Sequence, residues 1–162
     1  MKTLWTTFRS LIYSALFVLL WGWVASMFRP YASRLGGPLP PWAAVVGWLS
    51  IALGAGVAAS CIWTFIIRGQ GTPAPFDAPR QVVARGPYRV IRNPMYVGGF
   101  LILLGYGLVQ LSAAIVLFAL AWIVFVHLMV VALEEPDLRR KFGASYDEYR
   151  RAVPRWIPRR GL

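Results

Sequence analysis

The hydrophobic residues of this 162-residue chain lie in four long uninterrupted runs rather than at every third or fourth position. The runs cover residues 11–28, 42–67, 95–110 and 112–133, and none of them contains Asp, Glu, Lys or Arg. Crossing the hydrocarbon core of a bilayer takes about twenty mostly apolar helical residues, whereas a helix on a soluble core carries a polar stripe. The pattern therefore predicts an all-α polytopic membrane protein with four transmembrane helices.

The connections between the runs indicate how the predicted helices are arranged. The third run is short, and only the residues around Gln110–Ser112 separate it from the fourth, which predicts a tight helical hairpin. The first run follows basic residues as the apolar part of a signal peptide would. It is long for a signal peptide, however, and no small-x-small cleavage site precedes Arg29-Pro30, so we expect a retained helix.

Small residues recur on one side of the second run at spacings of three and four: Gly47, Ser50, Gly54 and Ala58. Such a stripe lets two membrane helices approach closely, which matters because the hydrophobic effect does not drive association inside lipid. We interpret the stripe as a packing surface without a further function.

Composition and charge support a membrane protein and give its orientation. Hydrophobic residues make up 58% of the chain and charged residues 14%, against about 25% charged residues in ordinary soluble domains. With four spans, 15 of the 17 lysines and arginines share one side, and only Arg29 and Arg34 fall opposite. Because positive charge marks cytoplasmic loops, we expect both termini in the cytoplasm. The single membrane domain 1–162 then has a cytoplasmic loop at 68–94 and a cytoplasmic C-terminal segment at 134–162.

The same excess of positive charge bears on the partners of the protein. We expect the basic face to contact anionic lipid headgroups and the spans to be solvated by lipid, with no nucleic-acid partner. The oligomeric state does not follow from the sequence. The single cysteine, Cys61, lies inside an apolar run and is interpreted as a small buried hydrophobe.

The segment 85–98, on the expected cytoplasmic side, has an unusual sequence: Arg-Gly-Pro-Tyr-Arg-Val-Ile-Arg-Asn-Pro-Met-Tyr-Val-Gly. Gly-Pro and Asn-Pro pairs mark turns, and Pro94 can occupy the first turn of a helix without losing a needed donor. A basic interfacial loop that contacts headgroups accounts for the arginines. It does not account for two rigid turn dipeptides and two tyrosines in so short a segment.

Two further motifs lie within or beside the apolar runs. The Gly-Tyr-Gly triplet at 105–107 allows close backbone approach to a ligand, although helix packing explains it equally well. Glu134 and Glu135 end the fourth run directly before Pro136, and two carboxylates so close to hydrocarbon indicate a functional site. The alternative is that their charges simply end the span at the membrane surface.

The chain after Pro136 predicts an amphipathic helix in the plane of the headgroups. Leu138, Phe142, Tyr146 and Tyr149 fall on one helical face, and the basic residues project elsewhere.

The single histidine, His127, precedes Glu134 by seven residues on the same predicted helix, so the two side chains share a face. It is a candidate proton carrier, but a hydrogen-bonding bridge between helices is the interpretation that we favour.

Four sequence blocks, taken together, resemble one superfamily. They are Gly-Pro-Tyr-Arg-x-x-Arg-Asn-Pro-x-Tyr-x-Gly at 86–98, Gly-x-Gly at 105–107, Glu-Glu-x-x-Leu-x-x-x-Phe-Gly-x-x-Tyr-x-x-Tyr at 134–149, and Val-Pro-x-x-Ile-Pro at 153–158. In this order they are similar to the integral membrane methyltransferases that include isoprenylcysteine carboxyl methyltransferase and phosphatidylethanolamine N-methyltransferase. The resemblance implies an enzyme that methylates a lipid or lipid-like acceptor at the cytoplasmic face. It implies S-adenosylmethionine as the cofactor and S-adenosylhomocysteine as its product.

Carried over residue by residue, the resemblance implies a cofactor site built from the last two runs and the C-terminal segment. The implied cofactor-binding residues are Tyr88, Arg92, Asn93, Pro94, Tyr96, Gly98, Gly105, Gly107, Glu134, Glu135, Tyr146, Tyr149 and Arg155. The candidate catalytic bases are Glu134, Glu135, Tyr146 and His127, which the sequence does not rank. Carboxylates in a low-dielectric site suit a cofactor that carries a sulfonium and an ammonium, and no metal is expected.

Two departures from the family pattern bear on the methyl acceptor. The family commonly has histidine where this chain has Asn93, which forms hydrogen bonds but does not titrate. Carboxyl-methylating members carry an arginine shortly before the paired acids, where residues 130–133 of this chain are Val-Val-Ala-Leu. A carboxylate acceptor would then lack its cationic partner unless an arginine from 85–92 fills the gap. The sequence therefore favours N-methylation of a phospholipid amine, such as phosphatidylethanolamine, over carboxyl O-methylation of an isoprenylcysteine-like substrate.

Two other classes of protein remain as alternatives. A non-catalytic membrane adaptor that binds anionic lipid would need the basic residues, but it has no use for the 86–98 block or the paired acids. A small transporter is disfavoured because an uncharged membrane core offers no evident substrate path.

Overall fold

The computed structural model of the protein describes residues 2–31, 34–35, 37–68 and 84–158. The α-helices among these residues are α1 (Lys2–Ser26), α2 (Ala43–Arg68), α3 (Pro94–Val109), α4 (Ala113–Met129), α5 (Glu135–Phe142) and α6 (Ala144–Ala152). Short 3₁₀ turns occupy Arg29–Tyr31 and Gly86–Arg89, and the described residues contain no strand. The prediction of an all-α fold is therefore confirmed for this part of the chain.

Among the described residues, two helical stretches are long and apolar enough to cross a membrane, Ala43–Ile67 and Ala113–Phe142. The second of these runs through α4 and α5 without a break, and α3 is a shorter apolar helix. The second and third predicted runs match α2 and α3 to within a residue at each end. The first helix is longer than predicted, since α1 begins at Lys2 rather than near residue 11.

Parts of the predicted cytoplasmic face lie outside the described residues, namely 69–83, which include Asp77 and Arg80, and 159–162. The predicted loop 68–94 is therefore described only from residue 84, where the chain enters the 3₁₀ turn that leads to α3. The single domain over 1–162 stays a prediction.

Helices α2 and α3 approach closely through two pairs of glycines. A Cβ atom placed on Gly105 would lie 2.6 Å from the carbonyl oxygen of Gly47, and one placed on Gly98 would lie 2.9 Å from that of Gly54. Glycine has only a hydrogen atom where other residues have a side chain, so the backbones of α2 and α3 can approach this closely. The hydroxyl of Ser50 donates to the carbonyl of Leu101 at 2.8 Å between the two glycine pairs. The stripe on the second run is therefore a packing surface, as predicted.

Aromatic side chains join α1 and the turn after it to α4 in the core of the molecule. Trp21 meets Trp122 edge-on with ring centroids 5.7 Å apart, and Phe28 stacks on Phe118 at 4.6 Å. Aromatic contacts of this kind add to the free energy gained by area burial alone. They hold α4 in a fixed position beside α1.

The turn between α3 and α4 closes the end of the molecule that lies away from Glu134. Ser112 caps α4, its hydroxyl accepting a hydrogen bond from the N–H of Ile115 at 3.4 Å. The N–H of Leu39 donates to the carbonyl of Leu111 at 2.9 Å, so the chain before α2 is tied to the same turn.

The single amphipathic helix predicted after Pro136 is instead two helices, and that prediction is wrong. Gly143, with φ of 55°, separates α5 from α6 in a left-handed conformation that costs glycine no steric strain. The predicted apolar side chains are nevertheless turned toward the protein in both helices. Tyr146 is buried, while Leu138 and Phe142 are half-buried.

We expect Gly105→Ala to destabilise the protein by about 1–3 kcal/mol, because the new methyl group meets the backbone of α2. Gly56→Ala is the matched control, since a Cβ atom there has nothing within 4 Å. Alanine is the better helix former by about 0.5–1 kcal/mol, so the control should be neutral or stabilised. Unfolding in mixed detergent micelles measures both variants. Equal stability of the two would contradict the close α2–α3 contact.

Candidate active site

A π turn at the end of α4 positions the two adjacent acids. It spans Val130–Glu134, and the N–H of Glu135 donates to the carbonyl of Val130 five residues earlier. Pro136 follows, and in a regular α-helix its ring would crowd the carbonyl four residues before it. The wider turn relieves this crowding, so the helix continues through both acids into α5. Turns of this kind are frequent at functional sites.

Glu135 is buried, with 7% of its surface exposed, and arginines hold both of its carboxylate oxygens. Arg155 donates from Nε to Oε1 at 2.7 Å and from Nη2 to Oε2 at 2.8 Å. Nη1 of Arg92 lies 2.9 Å from the same Oε1. A buried carboxylate without such partners costs several kcal/mol, so this network holds the charge in place. The hydrogen bond to Glu135 also raises the pKa of Arg155.

The network connects three segments that are distant in the sequence. Arg92 precedes α3, Glu135 begins α5, and Arg155 lies in the C-terminal segment 153–158. Two guanidinium groups surround one carboxylate, so the cluster carries one positive charge in excess. In addition, Nε of Arg92 is buried and has no hydrogen-bond partner.

Glu134 has a different environment from its neighbour. Its Oε2 accepts a hydrogen bond from the hydroxyl of Tyr96 at 2.9 Å. Within the described residues, no lysine, arginine or histidine forms an ion pair with Glu134. Of the two acids, Glu134 is therefore the one without a cationic partner among the described residues.

The C-terminal segment is fixed to the start of α3 by its backbone. The N–H of Arg92 donates to the carbonyl of Pro154 at 2.8 Å. Asn93 is buried, and its Nδ2 donates to the carbonyl of Arg155 at 3.4 Å. Asparagine therefore satisfies this position with a hydrogen bond and without a titrating group.

His127 also contacts the C-terminal segment. Its Nδ1 accepts a hydrogen bond from the indole Nε1 of Trp156 at 2.9 Å. This contact agrees with the bridging interpretation of His127, although the bridge reaches the C-terminal segment rather than another transmembrane helix. The interaction occupies Nδ1, so that nitrogen does not serve as a proton acceptor in this arrangement.

Tyr146 is buried beside the ion network. Its hydroxyl accepts a hydrogen bond from Nη1 of Arg92 at 3.4 Å. Burial, together with the negative charge of Glu135, raises the pKa of Tyr146. The phenol therefore stays protonated at neutral pH, which favours a positioning role over a role as a base.

Tyr88 and Tyr149 connect the Gly-Pro-Tyr-Arg turn to its surroundings. The hydroxyl of Tyr149 donates to the carbonyl of Tyr88 at 2.7 Å, and the Tyr88 ring packs edge-on against Phe65 of α2 at 5.4 Å. Gly86 has φ of 55°, and a Cβ atom there would clash with the hydroxyl of Thr64. Burial raises the pKa of both tyrosines. The turn is thus seated on α2.

The remaining residues that the family resemblance implied for cofactor binding lie at packing contacts between helices or at a helix start. Gly98 and Gly105 lie at the contact with α2, and a Cβ atom on Gly107 would lie 2.9 Å from the backbone nitrogen of Val116 in α4. Pro94 is fully buried at the start of α3. A direct role of these four residues in cofactor binding stays a prediction.

The structure thus brings together Arg92, Asn93, Tyr96, Glu134, Glu135, Tyr146 and Arg155. The sequence did not reveal that arginines would neutralise Glu135 alone of the two acids. Carboxyl-methylating members of the family carry an arginine shortly before the paired acids, and this chain lacks it there. Arg92 lies beside these acids instead, as the sequence allowed for an arginine from the segment 85–92. The contact of Trp156 with His127 was also missed, because no local pattern connects residues so distant in the sequence.

Comparison with known proteins gives consistent matches. The model of the family described as phospholipid methyltransferase matches residues 42–145, which is more than half of the chain. Methanethiol S-methyltransferase 2 of Bradyrhizobium diazoefficiens is 38% identical over 72 residues, covering 44% of this chain and 27% of that protein. Methanethiol S-methyltransferase of Crocosphaera subtropica is 31% identical over 97 residues, covering 60% of this chain and 34% of that protein. The matches therefore span about a quarter to a third of the length of these relatives.

We expect Glu135→Gln to lower the free energy of unfolding by about 3 kcal/mol, because it leaves two arginines without their buried counter-charge. Asp137→Asn is the matched control. Its ion pair with Arg140 is exposed, and such pairs contribute about 0–1 kcal/mol. Unfolding of both variants in mixed micelles provides the comparison, and equal losses would show that the network around Glu135 is not a structural element.

Proposed function

Since the chain belongs to the phospholipid methyltransferase family, we propose that it is a membrane methyltransferase that uses S-adenosylmethionine. The observation that carries the proposal is the cluster of Arg92, Asn93, Tyr96 and the two acids, in which Glu134 has no cationic partner among the described residues. The names of the two relatives, both methyltransferases, support the same reaction type.

The residues present fit the cofactor by their chemistry. S-adenosylmethionine carries a carboxylate, an ammonium and a sulfonium. Glu134 supplies a carboxylate without a cationic partner among the described residues, which suits the positive groups. Arg92 supplies a buried Nε–H without a partner, beside an excess of positive charge, which suits the carboxylate. Glu135 does not complete this set, because both of its oxygens are already held by arginines.

The bound cofactor would supply an electrophilic methyl group. The chain's own residues then hold charges and exclude water. Tyr96 orients the carboxylate of Glu134 by its hydrogen bond, and the C-terminal segment 153–158 covers the start of α3. Methyl transfer is an in-line displacement, so positioning the nucleophile in a dry site contributes most to the rate.

The placement of the site in the membrane follows from the helices and the charges. We propose that α1, α2, α3 and the α4–α5 stretch each cross the bilayer, which places both termini on one side. That side holds 15 of the 17 basic residues, so it is cytoplasmic. The acids Glu134 and Glu135 then lie at the cytoplasmic rim, within reach of a lipid headgroup.

The acceptor that the cluster supports best is a nucleophile with a proton to lose. A carboxylate acceptor would need a cation of its own, but Arg155 is bound in bidentate fashion and the free Nε–H of Arg92 is already assigned to the carboxylate of the cofactor. An amine or a thiol instead needs a base, and Glu134 is the carboxylate available to accept the proton. We therefore propose a phospholipid amine such as phosphatidylethanolamine as the acceptor. A small thiol is the second candidate, because both relatives are named for methanethiol.

The first test is methyl transfer by the purified full chain in lipid nanodiscs, with radiolabelled S-adenosylmethionine. We expect label in phosphatidylethanolamine that survives mild alkali, as an N-methyl group does and a methyl ester does not. Label recovered only as dimethyl sulfide, the product of methyl transfer to added methanethiol, would establish the thiol alternative and reject the lipid acceptor. Transfer to neither acceptor would reject both proposed activities.

Glu134→Gln tests the role of the uncompensated acid through cofactor binding in detergent, measured by calorimetry. We expect its affinity for S-adenosylmethionine to fall about tenfold, as loss of one charge-assisted contact predicts. The affinity for S-adenosylhomocysteine should fall less, because that product has no sulfonium charge. Glu148→Gln, on the exposed side of α6, is the control and should bind like the parent. An equal loss for both ligands would contradict a contact between Glu134 and the sulfonium.

A further inference from the structure

An apolar cavity of about 410 Å³ lies between the first four helices, apart from the acidic cluster. Its walls include Val18, Gly22 and Trp23 of α1, Leu103 and Tyr106 of α3, and Trp122 of α4. Neither Glu134 nor any other residue of the ion network lines it. The cavity therefore belongs to a different part of the molecule from the proposed methyl-transfer site.

Tyr106 gives this cavity a polar end. Its ring lines the cavity, while its hydroxyl accepts a hydrogen bond from Nη2 of Arg29 at 3.1 Å. The guanidinium of Arg29 also lies over the Tyr106 ring, 6.0 Å from the centroid, and the amide of Gln110 lies 3.1 Å from the same hydroxyl. Arg29 is itself exposed.

No acidic side chain among the described residues compensates the charge at this end. Among the described residues, Arg29 forms no ion pair, and neither does Arg34 a few residues later. The acids of the described segments, Glu134, Glu135, Asp137, Asp147 and Glu148, all lie beyond the far end of α4. An exposed guanidinium at the rim of an apolar, membrane-facing cavity suits a ligand that combines an anionic group with an aliphatic chain.

We propose that this cavity binds one anionic phospholipid, with an acyl chain along Trp23 and Leu103 and the phosphate-bearing headgroup on Arg29. A guanidinium pairs with phosphate oxygens through strong charge-assisted hydrogen bonds, and an acyl chain from a headgroup at the interface reaches the middle of the bilayer. The bound lipid occupies the end of the molecule opposite to the methyl-transfer site. It is therefore a resident lipid rather than the methyl acceptor, and the proposal does not depend on the enzymatic activity.

Native mass spectrometry of the delipidated full chain, titrated with phosphatidylglycerol or phosphatidylcholine of equal chain length, tests the headgroup contact. We expect one retained phosphatidylglycerol per chain, bound about fivefold more tightly than phosphatidylcholine, as one arginine contact predicts. Arg29→Ala should abolish the preference, and Arg29→Lys should keep part of it. Arg34→Ala, which removes an equal charge without the contact to Tyr106, should retain it. Equal retention of the two lipids, or equal effects of the two alanine variants, would overturn the proposal.

The position of the acyl chain needs a second variant. A Cβ atom on Gly22 meets nothing within 4 Å, so Gly22→Leu fills the cavity without a backbone clash. Gly56→Leu is the matched control on α2, where the space is equally open and the cavity is absent. We expect Gly22→Leu alone to reduce retention of phosphatidylglycerol, by about tenfold for a displaced chain. Unchanged retention in Gly22→Leu would show that the lipid does not enter this cavity.

Discussion

The buried carboxylate of Glu135, held by two arginines, is the interaction on which the rest of the site depends. A lone charge at this depth would be strongly destabilising, and the three segments that supply Arg92, Glu135 and Arg155 can satisfy it only by coming together. The C-terminal segment then lies against the start of α3. Asn93 donates a hydrogen bond to the carbonyl of Arg155, and Trp156 donates one to His127. The same pairing leaves Glu134 without a cationic partner among the described residues, and Glu134 is therefore the acid that we propose for ligand binding.

The π turn is what allows two neighbouring residues to have such different environments. Because Val130–Glu134 is wound more loosely than an α-helix, Glu134 reaches Tyr96 of α3 while Glu135 points into the arginines. Pro136 makes the loose turn favourable, since it removes one donor and disfavours regular winding. A proline directly after the paired acids therefore has a mechanical role, rather than marking the end of the helix.

The hydrophobic runs predicted α2 and α3 closely because their bounds are set by local chemistry: charges, glycines and prolines at the ends of apolar stretches. The small residues Gly47 and Gly54 likewise predicted a packing surface, since their spacing alone defines a helical face. The break at Gly143 and the π turn were not foreseen, because periodicity does not distinguish one continuous helix from two that share a face. The asymmetry of Glu134 and Glu135 was also not predictable. It depends on Arg92 and Arg155, which are 43 and 20 residues away from Glu135 and meet it only in the folded chain.

The coupling free energy between Glu135 and Arg155 tests this account most directly. It is obtained from the unfolding free energies of the parent, Glu135→Gln, Arg155→Gln and the double variant in mixed micelles. If the pair joins the C-terminal segment to the helical core, the two substitutions are strongly non-additive, with a coupling of at least about 1.5 kcal/mol. Additivity within about 0.5 kcal/mol would contradict it, because the two side chains would then contribute independently and the site would need another organising contact.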